Sequence, residues 1–420
     1  MLNQGSNYFL QPGASPELVS VDEALAQLVR EATPVVETET LPLEQALGRV
    51  LSAPLSASVP VPGWDSSAMD GYALRYSDLS ASGVTRLPIV QRIAAGHPGV
   101  SLAPGTAARI FTGAAVPTGA DTVVMQEQCV ASETEVSISG NIRKGDHVRP
   151  AGDDIRAGQT VLATGQKLRP QHLGLAASIG MAEVPVYRRL KVAIFLTGDE
   201  LVTPGTPLAP GQIYNSNRYT LIGMLKSLGC EIVDLCGVAD NLTATLEALE
   251  RAAQNADLII SSGGVSVGDE DYIKPAVAQL GHLAMWRIAM KPGKPLAFGW
   301  VRNKAFFGLP GNPVSVFVTF CLFVRPFLLK MQGAANITMH TFQVHADFDW
   351  PQAGKRREFL RARCLREADG KVRASIYPNQ SSGVLTSLAW ADGLVDIPVD
   401  TTVRRGELVD FISFSEFFGD

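Results

Sequence analysis

The sequence predicts a multidomain α/β protein: a central parallel-sheet domain, a split helical domain, an inserted β-rich domain and a C-terminal all-β domain. Three observations lead there. Between residues 188 and 332, short apolar runs alternate with amphipathic helical patterns, the order that yields a parallel sheet covered on both faces. Beyond residue 333 the period changes to two, as in Phe342, Val344 and Ala346, which is the alternation of strands. Between residues 58 and 146, proline, glycine and short β-like runs interrupt helical texture that stands on either side. At 420 residues the chain exceeds one ordinary core, and 46% hydrophobic with 18% charged residues is a globular composition. A net charge of -5 argues against a general nucleic-acid binder. The 5 dispersed cysteines form no Cys-x-x-Cys pair or zinc spacing and suit a reducing compartment.

Taken in order, Ser20-Val-Asp-Glu23 has the form of a capping box, opening a helix with Leu25, Leu28 and Val29 on one face. Leu43, Ala46, Leu47, Val50 and Leu51 repeat at helical spacing up to Pro54 and predict a second helix. Pro170 opens another through Leu173, Leu175, Ala176 and Ile179. These read as packing elements of one domain formed from 17–57 plus 147–187, with 58–146 inserted. The inserted region and its borders carry irregular loops at Asp65 to Asp70, Phe111 to Asp121 and Arg149 to Gly158, each a structural turn when taken alone. The first residues lack a basic start and an apolar h-region, and Arg325 and Pro326 break the apolar segment 314–330. The expectation is a soluble cytoplasmic protein without a membrane partner.

In the α/β domain, expected over 188–332, the strand Val192-Ala-Ile-Phe-Leu196 leads to Thr197-Gly-Asp-Glu200. Ser216 or Asn217 is placed to cap the next helix, which Gly229 stops, and the strand Ile232 to Val238 leads to Asp240. A third strand, led by Asp257, enters Ser261-Ser-Gly-Gly-Val-Ser-Val-Gly268. Here Ser262, Gly263, Gly264, Ser266 and Gly268 form a loop whose glycines let backbone amides approach an anion without an intervening Cβ. Asp269, Glu270 and Asp271 follow, and carboxylates beside a phosphate cradle require a hard cation such as Mg²⁺ between them. Ligands sit beyond the carboxyl ends of such strands, where the acids of three loops would converge: Asp199 and Glu200, then Asp240, then Asp269 to Asp271.

Two further loops add positive character. Lys291 and Lys294 flank a turn that ends on Pro295, and Gly308-Leu-Pro-Gly-Asn-Pro-Val-Ser315 opens a helix that is apolar all round. The chain has no P-loop and no Ser–His–Asp or Cys–His arrangement, so phosphoryl or adenylyl chemistry by positioning is expected. In the β domain, expected over 333–420, Arg357, Arg361 and Arg363 flank Phe359 on a strand face that reads as solvated, near Ser381-Ser-Gly383.

Jointly, these loops resemble the molybdopterin molybdenumtransferase family, which includes the E-domain of gephyrin. The match runs in order through Asp65-Ser-Ser-Ala-Met-Asp-Gly-Tyr-Ala73, Thr112-Gly-Ala-Ala-Val-Pro117, Thr197-Gly-Asp-Glu200, the Ser261 loop, Lys291-Pro-Gly-Lys-Pro295 and Gly308-Leu-Pro-Gly-Asn-Pro313. The resemblance implies a homodimer of elongated four-domain subunits that inserts molybdenum from molybdate into adenylylated molybdopterin, releasing AMP and using Mg²⁺. It implies that Glu200, Asp240 and Asp271 lie near the metal, and that Lys291, Lys294 and Ser315 hold molybdate. Arg361 and Ser382, or Arg357 and Ser381 in their place, would come from the β domain. Asp65 and Thr112 would reach the site from the dimer partner, and Asp154 matches a further acid. Ser66 departs from the family's usual Asn. Implied partners are the molybdopterin adenylyltransferase and molybdoenzyme-maturation proteins. Two rival readings are an adenylyltransferase sharing the α/β domain and a non-catalytic scaffold of the same fold.

Overall fold

The structure is a computed structural model that describes residues 18–81, 83–264 and 272–418. Its centre is a sheet of 6 strands. Glu231–Val238, Lys191–Thr197, Leu258–Ser262 and Lys304–Leu309 lie side by side and parallel. Pro295–Val301 and Gly281–Arg287 then extend the sheet antiparallel. The expected parallel sheet is therefore the larger part of a mixed one. The reversal comes from a tight hairpin between Val301 and Lys304, where Arg302 (φ 48) and Asn303 (φ 68) both take the left-handed geometry such turns require. The central strand Lys191–Thr197 is buried after its first residue, because alternate side chains face two different cores. Ala193 and Phe195 meet Leu249 and Ala252 on one side, while Val192 and Ile194 meet Leu221, Leu225 and Phe327 on the other.

The helices follow from local signals, with one adjustment. Asn215, rather than Ser216 or Asn217, caps Ser216–Ser227 by accepting the Arg218 amide, and Asn241 caps Leu242–Asn255 in the same way. Arg325 and Pro326 do not end the apolar helix. Pro313–Met331 is a continuous 19-residue run with mean hydropathy 1.8 and 89% of its window buried inside the protein, so it is a core helix. A π-helical turn at Phe320–Val324 absorbs the break that Pro326 makes in the hydrogen-bond ladder. The Arg325 guanidinium is turned inward onto the Phe417 and Glu416 carbonyls, at 2.9 and 2.6 Å.

Around this centre, Thr38–Pro42 pairs with Glu183–Tyr187 and Leu55–Ser56 with Thr160–Leu162, enclosing Leu51, Leu55, Ala176 and Val186. The helix expected across Leu43 to Leu51 is replaced by a single 3₁₀ turn, Leu43–Gln45. Gly48 (φ 75) redirects the chain, and Val50 and Leu51 form bridges to Lys167 and Val186 instead of continuing a spiral. Helix Val21–Glu31 has the capping box and buries Val21, Ala24 and Leu28 in the core of the central sheet. Residues 71–138 hold a separate sheet of 6 strands, and another sheet of 6 strands forms the C-terminal region. One edge strand of the latter, Met290–Lys291, belongs in sequence to the α/β region and runs parallel to Arg357–Glu358.

Candidate functional site

A cavity of about 550 Å³ opens at the carboxyl ends of the parallel strands. Thr197 and Ser262 end two adjacent strands at its floor, and Gly311 to Pro313 bring the start of the long core helix. Ile213 to Asn217 form a further wall, and Gly383 and Leu385 close it from the C-terminal region. The glycines are sterically required. A Cβ on Gly263 (φ 90) would lie 2.9 Å from the Thr197 carbonyl, and one on Gly264 (φ 63) would meet Ile273 and Thr197 at 2.9 and 3.1 Å. Ser266, Gly268 and Asp271 fall outside the described residues.

The walls are tied by a small polar network. Asn217 Nδ2 donates to the Gly311 carbonyl at 2.6 Å and to Ser262 Oγ at 3.2 Å, and Ser262 Oγ donates to the Pro310 carbonyl at 3.0 Å. Glu200 lines the cavity and is exposed; a Cβ on Gly198 would come within 2.5 Å of its carboxylate, so glycine lets that side chain fold back over its loop. Asp240 is half-buried at the end of the next strand and does not line the cavity. Among the described residues no group of 3 or more His, Cys, Asp or Glu is gathered as a metal cage.

The lysine turn packs beside the core helix. Gly293 (φ 101) makes this possible, since a Cβ there would meet Thr319 Oγ1 at 2.5 Å. Lys291 Nζ is 3.0 Å from Glu358 Oε2 of the neighbouring strand, whereas Lys294 is half-buried and Pro295 begins the next strand. Ser315 is buried at 4%, and the amide of Val314 donates to the Ser382 carbonyl at 3.0 Å.

The arginine face is only partly solvated, contrary to expectation, because each guanidinium has a protein partner. Arg357 is paired with Asp396 and Asp22, and Arg363 bonds the Trp390 carbonyl. Arg361 is 1% exposed and donates to Ser387 Oγ and to the Phe359 and Ser381 carbonyls, all neutral acceptors. Burial pushes it down to about 10.

A second polar cluster forms elsewhere, from loops far apart in sequence. Asp65 Oδ1 accepts the Ala151 amide at 2.8 Å. Thr112 donates through both its amide and its hydroxyl to Asp70 Oδ1, each at 2.8 Å, and these bonds hold the Asp70 carboxyl below its ordinary range. Ser66 bridges Ala115 and pairs with Arg149, while Asp154 is exposed where its amide meets the Val61 carbonyl. Asp65, Thr112 and Asp154 are thus gathered on one side of the inserted region, and none of them lines the cavity. The sequence reading missed Tyr214 and Asn217 as cavity residues. The available signal was Asn215-Ser-Asn217 at a helix start, which read only as capping chemistry.

Three family models match successive parts of the chain. The MoeA N-terminal region (domain I and II) matches residues 19–180, a probable molybdopterin binding domain matches 193–330, and the MoeA C-terminal region (domain IV) matches 343–414. The chain is 37% identical to a molybdopterin molybdenumtransferase of Haemophilus influenzae, covering 96% of this chain and 100% of that one. It is 39% identical to a molybdopterin molybdenumtransferase of Nostoc, over 92% of this chain and 91% of that one. The crystal structure of a molybdopterin biosynthesis moeA protein from Pyrococcus horikoshii matches with a TM-score of 0.82 at 29% identity, covering 95% of this chain and 100% of that one.

Proposed function

The chain belongs to the molybdopterin molybdenumtransferase family, and from that premise we propose how its residues move molybdenum from molybdate onto adenylylated molybdopterin with release of AMP. It is a transferase of molybdenum cofactor biosynthesis. Its relatives align along nearly the whole chain rather than over 193–330 alone, so the single-domain adenylyltransferase reading is not favoured.

One observation carries the division of labour: the cavity unites a glycine loop, two helix starts and an exposed carboxylate at one sheet edge. Helix N-termini and free loop amides favour phosphate oxygens. Mg²⁺ fits the donor chemistry, because it takes one or two carboxylates and completes its shell with water and phosphate oxygens. In this reading one or two of Glu200, Asp240 and Asp271 would hold it, and when bound it would offset charge on the adenylyl phosphates. Lys291 and Lys294 then hold the doubly charged tetrahedral oxyanion, with Ser315 beside them. Arg361 is favoured over Arg357 as a further anion partner, since Arg357 is already neutralised by Asp396 and Asp22. Ser382 is favoured over Ser381 because its backbone is tied to the helix start next to Ser315. Asp65, Thr112 and Asp154 act across a homodimer interface, so the site is composite. A cytoplasmic setting, supply by the adenylyltransferase and delivery to molybdoenzyme-maturation proteins complete the proposal, with no nucleic-acid or membrane partner.

The test is AMP release from adenylylated molybdopterin by the purified chain. Release that requires both molybdate and Mg²⁺ is expected. A folded chain that releases none overturns the reading, and ATP-dependent adenylylation of molybdopterin in its place would restore the rival.

A further inference from the structure

Asn217 is half-buried on the cavity wall, and the chemistry of its neighbours fixes which way its amide faces. A carbonyl can only accept, so the group 2.6 Å from the Gly311 oxygen must be the amide nitrogen. Ser262 Oγ gives its proton to the Pro310 carbonyl, so toward Asn217 it too acts as acceptor. Both N–H bonds of Asn217 are therefore committed to the walls. Its Oδ1 is the remaining polar atom of the amide, and among the described residues no hydrogen bond to it is formed. Tyr214, 44% exposed, lines the same wall and offers an aromatic face three residues away.

We propose that Asn217 Oδ1 is a ligand acceptor that recognises the exocyclic amino group of a flat aminated heterocycle lying against Tyr214. This deepens the function proposed above and rests on it, since adenylylated molybdopterin carries two such rings, a purine and a pterin. The oriented oxygen favours an amino edge and disfavours an oxo group, because two acceptors facing each other leave both unsatisfied. Asn217 is thus a specificity residue, and Ser262, which contacts its amide nitrogen, is a positioning residue for it.

The experiment is equilibrium binding to the full chain of two matched pairs: AMP against inosine monophosphate, and 6-methylpterin against 6-methyllumazine. Each pair exchanges an amino group for an oxo group and, beside it, a ring acceptor nitrogen for an N–H donor, so it is the position of the donor relative to Oδ1 that is read. The wild-type chain should prefer the amino member of one pair by roughly three- to tenfold, the range of one net hydrogen bond. The preferred pair identifies the ring. Asn217→Ala should erase that preference while leaving the oxo member's binding unchanged, which a merely structural role would not do. Asn217→Ser, which keeps a small polar side chain on the wall, is the second variant should the first not fold. Equal binding within both pairs by the wild-type chain overturns the assignment without any variant, as does a preference that survives in either folded variant. Failure of the function itself is read separately, as absence of molybdate-dependent AMP release.

Discussion

Lys291 faces two demands at once. Its Nζ lies 3.0 Å from Glu358 Oε2, yet that oxygen accepts no aligned hydrogen bond, so the contact is mainly Coulombic. The lysine side chain is 46% exposed and the glutamate only 9%, which leaves Glu358 more dependent on the pair than Lys291 is. An oxyanion arriving at the lysine must share its charge with this carboxylate. Three variants separate the roles. Lys291→Gln should weaken molybdate dependence about tenfold through loss of a charge-assisted bond. It should also cost about 1–2 kcal/mol in chemical denaturation, because the nearly buried Glu358 loses its counter-ion. Glu358→Gln alone should lower the molybdate concentration needed for half-maximal AMP release, since the lysine is released to the anion. Lys291→Gln with Glu358→Gln should recover stability without recovering molybdate binding. If Lys291→Gln and Lys294→Gln both leave the molybdate dependence untouched, the oxyanion lies elsewhere and Arg361 is the next residue to test.

Asp257 shows how much of an element can be decided by one side chain at its start. It opens the strand Leu258–Ser262 and accepts from Arg188 Nη1 and Nη2 at 2.7 and 2.9 Å and from the Lys191 amide at 2.8 Å. It thereby joins the entry points of two adjacent parallel strands whose far ends form the cavity floor. Burial pushes its carboxyl up, but the Arg188 and Lys191 bonds outweigh that and leave it below the usual range. A lowered folded pKa favours the charged form. The stabilisation is thus fully present above the unfolded value of about 3.9 and is lost as pH falls through the folded value. Asp257→Asn should cost about 2 kcal/mol in urea denaturation at pH 7 and almost nothing once the wild-type carboxyl is protonated. Equal stability at pH 7 would remove the strap. The sequence showed the strand, because a run of Leu-Ile-Ile reads as buried whatever its partners are. It did not show the strap, since Arg188 is joined to Asp257 only through the fold. The same limit explains the helix expected across Leu43 to Leu51: spacing alone could not foresee that Gly48 turns and that Val50 and Leu51 find strand partners. It explains Arg361 as well, whose alternation with Phe359 was legible but whose burial depends on the loop at Ser381 folding over it.

At the scale of the whole molecule, most of the loops flagged by composition fall into two places, while the Asp240 loop and the lysine turn line neither. One is the cavity, and the other is the cluster of Asp65, Thr112 and Asp154, none of which lines it. Glycine, proline and acidic loops were readable from local chemistry, whereas their sorting into two groups required the strand pairings that bring Ser66 to Ala115 and Arg149. Exposed apolar side chains border the second cluster: Val59 at 51%, Trp64 at 56% and Met69 at 40%. Such a border suits a surface that another copy of the chain covers. If Asp65 acts in the reaction on the cavity of a partner subunit, two defective chains should repair each other. Asp65→Asn is a suitable first defect, because an amide oxygen can still accept the Ala151 amide while the charge is removed. Glu200→Ala is the second, acting within the cavity. A mixed dimer would hold one site with intact Glu200 from the Asp65→Asn chain and intact Asp65 from the Glu200→Ala chain; its other site would carry both defects. Random exchange makes half the dimers mixed, so recovery of about a quarter of wild-type AMP release is expected from two parents that are each nearly inactive. Tagged pull-down would verify that the subunits have exchanged. No recovery despite exchange would mean that Asp65 serves the cavity of its own chain, which requires the inserted region to close onto it, or that Asp65 serves only the loop at Ala151.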